Sequence, residues 1–193
     1  MTKKPQRLIV YLVRHGRKDM DRFRKNQGEP CFLSKIGGRQ AECLAKKFKG
    51  EKIDKIFVSN HERCIQTAEP TSRELSLPLN IDSGLGEISK EFRDAIREGK
   101  GYESENVKKE IFRIRKAWNK IMKERGKVVV FAHGGTNRMI ISLVLGIEMH
   151  KARFGLNPAG ITEIRVNEKG KVGIRHSNDT SHLPKSLRET QSE

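Results

Sequence analysis

Two histidines stand where long apolar runs of this sequence stop. The run at residues 8–13 ends in Arg14-His15-Gly16, and the run at residues 127–132 ends in His133-Gly134. A neutral imidazole can attack phosphorus and become phosphorylated, which divides one difficult hydrolysis into two easier steps. A glycine directly after His15 lets the backbone turn closely past a ligand. His15 is therefore the candidate nucleophile of a phosphoryl-transfer site.

Four further residues suit the same reaction. Arg14 and Arg63 carry planar guanidinium groups, which hold phosphate oxygens in pairs and spread the charge of a transferring phosphoryl group. Glu87, in a glycine-bracketed loop, can protonate the leaving oxygen and then deprotonate water. His133 precedes Gly134 at the predicted start of a helix, where a phosphate oxygen can bind. These residues define a candidate phosphate site.

Structural and metal-binding roles for these side chains are the alternatives. Taken singly, a histidine at a strand end is more often a structural hydrogen-bonding residue than a catalyst. Three histidines and a glutamate can also bind zinc, but the sequence lacks a paired spacing such as His-Glu-x-x-His. The flanking arginines would also repel a cation. The ordered set of residues thus favours an anion, and we expect no metal.

Apolar runs alternate with amphipathic segments along the chain. Strands are predicted at residues 8–13, 53–58, 77–81 and 127–132, with a closing hairpin at 161–166 and 172–176. Helices are predicted after a cap at Ser34 and at residues 59–75, 91–99, 105–125 and 136–145. This pattern predicts an α/β fold, a three-layer α/β/α sandwich with a mainly parallel sheet and an antiparallel edge strand. We expect a single domain at residues 1–184 and a polar, disordered tail at 185–193.

Two further segments of the sequence are strongly charged. Residues 18–30 lack a sustained apolar period and are predicted to form a long loop. In the helix at 105–125, the basic residues are interpreted as a solvated face. They are Arg113, Arg115, Lys116 and Lys123.

Six motifs in order resemble the histidine phosphatase superfamily, in its phosphoglycerate mutase-like branch 1. They are Leu12-Val13-Arg14-His15-Gly16, the segment at 33–41, the segment at 59–68, Leu85-Gly86-Glu87-Ile88, Ala132-His133-Gly134-Gly135 and the segment at 177–183. The resemblance implies a phosphatase that needs no metal or organic cofactor. It implies that His15 is the phosphorylated nucleophile, that Arg14, Arg63 and His133 form the phosphate pocket, and that Glu87 is the proton donor.

This sequence departs from the family pattern directly after the first motif. Family members commonly have an Asn a few residues on that touches phosphate, whereas here Arg17-Lys18-Asp19 follows and the nearest Asn is Asn26. Asn26 is accordingly the candidate for that contact. The bisphosphoglycerate-binding segments of glycolytic mutases are not recognisable, so a phosphatase is predicted rather than a mutase. The extra positive charges of residues 17–25 would favour a multiply charged substrate. The alternative is that they belong to an exposed loop with no role in binding.

The composition bounds the class of protein and its partners. The 193 residues carry a net charge of +16, which favours anionic partners. We expect the substrate to be a small phosphorylated metabolite. The alternatives are a protein phosphatase and a non-catalytic basic protein that binds nucleic acid or an acidic partner. No motif supports sequence-specific nucleic-acid readout. Without a membrane span or signal peptide, a cytoplasmic protein with three reduced cysteines is expected. The sequence does not indicate an oligomeric state.

Overall fold

The first strand, β1 (Gln6–Arg14), lies inside the sheet and leads directly into His15. The structure, a computed structural model, describes residues 6–25, 31–151 and 154–188. Leu8, Val10 and Leu12 pack into one hydrophobic cluster, while Tyr11 and Val13 pack into another. A strand that is apolar on both faces is what a sheet covered by helices on both sides requires.

Strands and helices alternate along most of the chain. The further strands are β2 (Lys55–Val58), β3 (Leu79–Ile81), β4 (Gly126–Ala132), β5 (Ile161–Asn167) and β6 (Val172–Asp179). The helices are α1 (Met20–Lys25), α2 (Lys35–Phe48), α3 (Glu62–Leu75), α4 (Lys90–Glu98), α5 (Glu105–Ile121) and α6 (Gly134–Leu145). Ser34 caps α2 as predicted, because its side chain accepts a hydrogen bond from Gly37 N.

The six strands form one sheet in the order β3-β2-β4-β1-β5-β6. β3, β2, β4 and β1 run parallel, whereas β5 pairs antiparallel with both β1 and β6. The predicted fold class is therefore confirmed, including the closing hairpin. Because β2, β4 and β1 are parallel neighbours, their carboxyl ends meet at one edge of the sheet.

Helices cover both faces of this sheet. α2 and α3 contribute to the cluster that contains Val13, with Leu44 and Cys64 among the buried residues. α4, α5 and α6 contribute to the cluster that contains Leu12, with Phe92 and Ile114 among them. The sheet is thus the middle layer of three, and the helices that follow its strands begin at the edge where the candidate residues lie.

Two predicted irregular segments contain more structure than expected. Within the predicted loop at 18–30, α1 forms a short helix, and residues 26–30, including Asn26, lie outside the described residues. At the start of the predicted tail, Lys185–Leu187 forms a 3₁₀ helix. Leu187 is buried, and its carbonyl oxygen accepts a hydrogen bond from the Gln40 side chain at 2.9 Å. Residues 189–193 of the tail are not described.

Among residues 6–25, 31–151 and 154–188, no helix is both long and apolar enough to cross a membrane.

Candidate active site

Three adjacent strand ends bring the candidate residues together. His15 follows β1, His133 follows β4, and Ser59 follows β2. The backbone pairing continues one step beyond these strands, since His15 N donates to Ala132 O at 3.0 Å and Ser59 N donates to Phe131 O at 2.9 Å. The relative positions of the side chains are therefore fixed by the sheet rather than by flexible loops.

His15 is held as a neutral imidazole. Its Nδ1 lies 2.7 Å from Gly16 O, and because a carbonyl oxygen only accepts, Nδ1 carries the proton and Nε2 holds the lone pair. Burial lowers the pKa of His15 well below 6.5, and the positive charges of Arg63 and Arg14 lower it further. The ring is 4% exposed and lines a cavity. An unprotonated Nε2 facing substrate space is what nucleophilic attack requires.

Two arginines flank this ring, and each is held by the chain around it. Arg14 Nη1 donates to Leu156 O. Arg63 is 6% exposed, and its Nη1 donates to His61 Nδ1 at 3.3 Å. Fixed guanidinium groups beside a neutral nucleophile can bind the oxygens of a phosphoryl group with little loss of side-chain entropy.

His133 lies fully buried behind the cavity wall. Its ring centroid is 5.3 Å from that of His15 and 4.8 Å from that of His61, with edge-to-face geometry in both pairs. His133 Nε2 lies 2.8 Å from Ser59 Oγ. Burial lowers the pKa of His133 well below 6.5, and the neighbouring His15, Arg63, His61 and Arg113 lower it further. The ring is consequently a neutral hydrogen-bonding group next to His15.

Glu87 reaches the same centre from the loop before α4. Its Oε2 lies 4.0 Å from His133 Nδ1, and its Oε1 accepts a hydrogen bond from Ile88 N at 3.0 Å. Thr136 Oγ1 donates to Gly86 O at 2.6 Å and so ties the loop to α6. A Cβ at Gly135 would stand 2.5 Å from Ile88 Cδ1 and 2.7 Å from Glu87 Oε1, so a larger residue there would shift both side chains.

Arg113 anchors this loop, contrary to the prediction that it belongs to a solvated face. From α5 its Nη1 donates to Ser83 O at 3.2 Å, Gly84 O at 2.9 Å and Gly86 O at 3.1 Å. Its Nη2 donates to Glu87 O at 3.3 Å. The solvated-face interpretation is wrong for Arg113, because the loop carbonyls need donors. It holds for Arg115 and Lys116, which are exposed on α5; Lys123 is also exposed but lies beyond the end of α5.

The turn after His15 is packed tightly against the start of α2. A Cβ at Gly37 would stand 2.1 Å from Arg17 O, and one at Gly16 would stand 2.8 Å from Gly37 O. Gly16 N also donates to Thr67 Oγ1 at 3.0 Å, which connects the turn to α3. The position of the nucleophile therefore depends on glycines in two separate elements.

A cavity of about 910 Å³ opens in front of these residues. Six of the described side chains that line it are lysine or arginine, and Glu87 is its one acidic lining residue among them. From the predicted basic loop, Lys18 reaches the cavity. Burial lowers the pKa of Lys18, and the charges of Arg63 and Arg14 lower it further, although Cys31 and Glu87 oppose the shift. The cavity thus favours an anionic ligand.

Three side chains of the site could also serve as metal ligands. One donor atom from each of His15, Glu87 and His133 lies within 4.8 Å of the others, which is close enough to share an ion. Arg14 and Arg63, however, line the cavity beside them and depress the pKa of His15. The same positive potential opposes a cation, so the donor set suits a phosphate better than a metal.

Most of the residues that the sequence analysis predicted for the site lie close together in the structure. The structure brings together Arg14, His15, Arg63, Glu87, His133 and Gly134. Asn26 lies outside the described residues. The sequence analysis missed Ser59, Thr136 and Arg113. A polar residue at a strand exit was a usable signal for Ser59, whereas no sequence pattern joins Arg113 to the distant loop.

Comparison with known proteins identifies a family. The profile of the histidine phosphatase superfamily (branch 1) matches residues 10–91 and 89–180. A candidate phosphoserine phosphatase of Hydrogenobacter thermophilus is 27% identical, over 90% of this chain and 96% of its own length. A probable phosphoglycerate mutase of Proteus mirabilis is 26% identical, over 91% of this chain and 95% of its own length.

Solved structures share the fold. A phosphoserine phosphatase of Entamoeba histolytica, in complex with 3-phosphoglyceric acid, superposes with a TM-score of 0.72. It covers 92% of this chain and all of its own chain at 20% sequence identity. At that identity the likeness supports the three-layer architecture described above.

Proposed function

The chain belongs to branch 1 of the histidine phosphatase superfamily, and from that premise we propose that it hydrolyses phosphomonoesters of small metabolites through a phosphohistidine at His15. The observation that carries the proposal is the state of His15. Its Nδ1 proton is committed to Gly16 O, its Nε2 is unprotonated, and two arginines flank it in a basic cavity. These features supply a nucleophile and a binding site for its target.

In the first step, His15 Nε2 attacks phosphorus in line with the ester oxygen. The N–P bond forms while the P–O bond to the organic group breaks, and Glu87 delivers a proton to the departing alkoxide. Arg14 and Arg63 stabilise the charge on the three remaining oxygens, and the backbone N–H groups at the start of α6 complete the pocket, with the buried His133 packed behind them. The alcohol product can then leave.

In the second step, water attacks the phosphohistidine. Glu87, now ionised, accepts a proton from that water, the N–P bond breaks, and inorganic phosphate leaves with neutral His15 restored. The Gly16 carbonyl holds the Nδ1 proton throughout and stabilises the positive charge of the phosphorylated ring. No redox change occurs, and the two steps sum to the hydrolysis of one ester.

Replacing the nucleophile tests the proposal. Phosphate release from a panel of phosphorylated sugars, nucleotides, glycerate derivatives and phosphoserine should fall by about 10⁴-fold or more in His15→Ala, by analogy with other catalytic nucleophiles. His176→Ala is a matched control, because His176 is an exposed histidine on β6. Wild-type turnover in His15→Ala would refute the assignment.

Two alternatives to a metabolite phosphatase predict different behaviour. A protein phosphatase would hydrolyse phosphopeptides faster than phosphorylated metabolites, and the 4% exposure of His15 at the base of a cavity disfavours that outcome. A non-catalytic basic protein would bind anions in a salt-dependent manner and lose nothing in His15→Ala. The same panel, extended by phosphopeptides, separates the three.

A further inference from the structure

Gln40 is a polar side chain on the buried face of α2. It is 0% exposed, and the other buried residues of this helix include Ala41, Leu44 and Phe48. An amide in apolar surroundings costs free energy unless its polar atoms have hydrogen-bond partners. The partners of Gln40 therefore show what this side chain does.

Both ends of the Gln40 amide meet backbone groups from distant parts of the chain. Its Oε1 accepts a hydrogen bond from Arg17 N at 2.8 Å, and its Nε2 donates to Leu187 O at 2.9 Å. Because an N–H only donates and a carbonyl oxygen only accepts, the two partners together fix which way the amide points. Gln40 thus connects the turn after His15 to the 3₁₀ helix at Lys185–Leu187.

The peptide unit between Gly16 and Arg17 transmits this contact to His15. In a planar trans peptide unit, the form that nearly all non-proline residues adopt, the N–H and the C=O point in opposite directions. The N–H of this unit, from Arg17, faces Gln40. Its carbonyl oxygen, from Gly16, lies 2.7 Å from His15 Nδ1. A bond that holds the N–H therefore also holds the carbonyl oxygen against the imidazole.

The backbone is also held on either side of this peptide unit. Before it, Gly16 N donates to Thr67 Oγ1 at 3.0 Å. After it, Ser34 N donates to Arg17 O at 2.9 Å. Since glycine has no Cβ to restrict its dihedral angles, the orientation of the unit depends on such contacts. The bond from Arg17 N to Gln40 is the one made by the unit itself.

The direction of the Gly16 carbonyl decides which nitrogen of His15 can react. With the oxygen against Nδ1, the proton stays on Nδ1 and the lone pair is on Nε2. If the peptide unit rotated, Nδ1 would lose its acceptor and the tautomer with the proton on Nε2 would become more populated. That tautomer has no lone pair on Nε2 and cannot attack phosphorus through it.

We propose that Gln40 is a positioning residue that keeps His15 in its reactive tautomer through the Gly16–Arg17 peptide unit, and that Leu187 O holds Gln40 in turn. This inference rests on the proposed function, because it concerns the nucleophile. Gln40 acts on that nucleophile through the backbone rather than through the substrate. The proposal also gives a role to the segment at 33–41, which the sequence analysis singled out as a motif.

Nitrogen NMR of the histidine rings tests the proposal without any substrate. Long-range ¹H–¹⁵N spectra distinguish a protonated ring nitrogen from one with a lone pair, and the signals of His15 are those absent from His15→Gln. Near neutral pH, wild-type His15 should have a protonated Nδ1 and an unprotonated Nε2. In Gln40→Met, which removes both hydrogen bonds of the amide, the ratio of this tautomer to the Nε2-protonated one should fall by about fivefold or more, as expected for a lost hydrogen bond.

Kinetics on the phosphomonoester panel provide a second measurement. In Gln40→Met, kcat should fall by about 10- to 100-fold, because the imidazole is less firmly placed, while KM changes much less. Gln40→Glu keeps the oxygen that accepts from Arg17 N, so it should recover part of kcat and of the wild-type ¹⁵N shifts. A loss of stability alone would not produce this separation of kcat from KM.

Two substitutions on the same helix are matched controls. Phe48→Leu removes buried volume eight residues after Gln40, which is about 12 Å further along the helix axis. Arg39→Met changes the exposed side chain next to Gln40. Both should keep the wild-type ¹⁵N shifts and kcat at a temperature where thermal unfolding shows them to be folded. If Gln40→Met does not fold, Leu187→Ala loosens the outer partner of Gln40 and should shift the tautomer in the same direction.

The outcomes separate this proposal from the proposed function. Wild-type ¹⁵N shifts in folded Gln40→Met, or in Leu187→Ala where Gln40→Met is unfolded, would overturn the proposal. Phosphatase activity that depends on His15 but not on Gln40 would leave the proposed function intact and remove the positioning role. A tautomer that shifts in Gln40→Met, in a protein that hydrolyses none of the panel, would support the hold on His15 and count against the phosphatase.

Discussion

At the scale of single residues, the reactivity of His15 follows from where its two nitrogens and its neighbours lie. Burial and two arginines both disfavour the imidazolium, and the Gly16 carbonyl selects the tautomer with its lone pair on Nε2. In the proposed function, the same arginines bind the anion that this lone pair attacks. One arrangement would therefore supply both a neutral nucleophile and a phosphate site.

The buried histidines make the stability of the protein depend on pH. The folded-state pKa values of His15 and His133 lie well below the ordinary value of 6.5, so below pH 6.5 the unfolded chain binds protons that the folded chain does not. The free energy of unfolding should then fall as pH drops from 6.5 toward the folded-state pKa values. Each histidine contributes up to about 1 kcal/mol between about pH 7 and pH 5.5.

Urea unfolding of variants checks this pH dependence. His15→Gln should lose less stability than wild type between neutral and mildly acidic pH, because one buried histidine is gone. His176→Gln, which changes an exposed histidine, should lose as much as wild type. An acid-induced loss that is the same in all three proteins would contradict the buried neutral state of His15.

Residue types and spacing predicted which residues lie together in the candidate site, but not the residues that hold them in place. Arg14, His15, Arg63, Glu87 and His133 stand at strand ends or in a glycine-bracketed loop, and topology brings such positions together. The contacts of Arg113 with a loop some thirty residues earlier are set by how α5 packs. The helical periodicity of a sequence shows that a residue lies outside the buried face of the helix. It does not show which other residues that side chain contacts.

At the scale of elements, the loop that carries Glu87 depends on α5. Arg113→Met would remove all of its hydrogen bonds to the carbonyls of residues 83–87 and leave Glu87 less firmly placed. We expect kcat/KM to fall by about 10- to 100-fold, mostly in kcat, as is typical when a catalytic group is misplaced.

Two controls separate positioning from stability in that experiment. Lys116→Met, an exposed change on the same helix, should leave kcat/KM at the wild-type value, and Arg113→Lys should recover part of the activity. Thermal unfolding of Arg113→Met should show a folded protein at assay temperature. Full activity in Arg113→Met would contradict the positioning role.

Two adjacent glycines at the start of α2, Gly37 and Gly38, differ in how closely they approach the turn that follows β1. A Cβ at Gly37 would stand 2.1 Å from Arg17 O, whereas one at Gly38 would meet nothing within 4 Å. Gly37→Ala should therefore destabilise the protein by about 1–3 kcal/mol and reduce activity by displacing the turn after His15. Gly38→Ala should stabilise it by about 0.5–1 kcal/mol through helix propensity. Denaturant unfolding and phosphate release measure both, and equal effects would refute the close packing.

Helices and strands with clear periodicity were predicted closely, and the exceptions have physical causes. α1 was missed because its charged sequence shows no apolar stripe; at its start, Asp19 Oδ1 accepts a hydrogen bond from Arg22 N at 3.0 Å. Leu187 was assigned to a disordered tail because a single apolar residue in a polar segment carries little signal.

At the scale of the whole molecule, the net charge of +16 should assist the capture of anionic substrates. Raising ionic strength from about 0.01 M to about 1 M shortens the Debye length from about 30 Å to about 3 Å. The kcat/KM for a phosphomonoester should decrease over that range while kcat changes little. Steady-state kinetics in sodium chloride measure this, and a kcat/KM independent of salt would show that charge outside the cavity has no role in capture.

The fold class and the position of the site at the sheet edge were predictable from alternating strands and helices. The cavity was not, because it lies between α4, α6 and the segment around Phe154, and their spacing depends on packing. Sequence analysis could therefore predict which residues gather at the sheet edge, while the cavity in front of them became visible only in three dimensions.

Trapping the covalent intermediate is the most direct test of the central claim. The protein is mixed with a ³²P-labelled phosphomonoester that the panel shows to be hydrolysed, quenched during the first turnover, and mapped by mass spectrometry under alkaline conditions that preserve phosphohistidine. The account predicts an acid-labile label on Nε2 of His15, retained in His176→Ala and absent from His15→Ala. A label on another residue, or an undiminished label in His15→Ala, would contradict it.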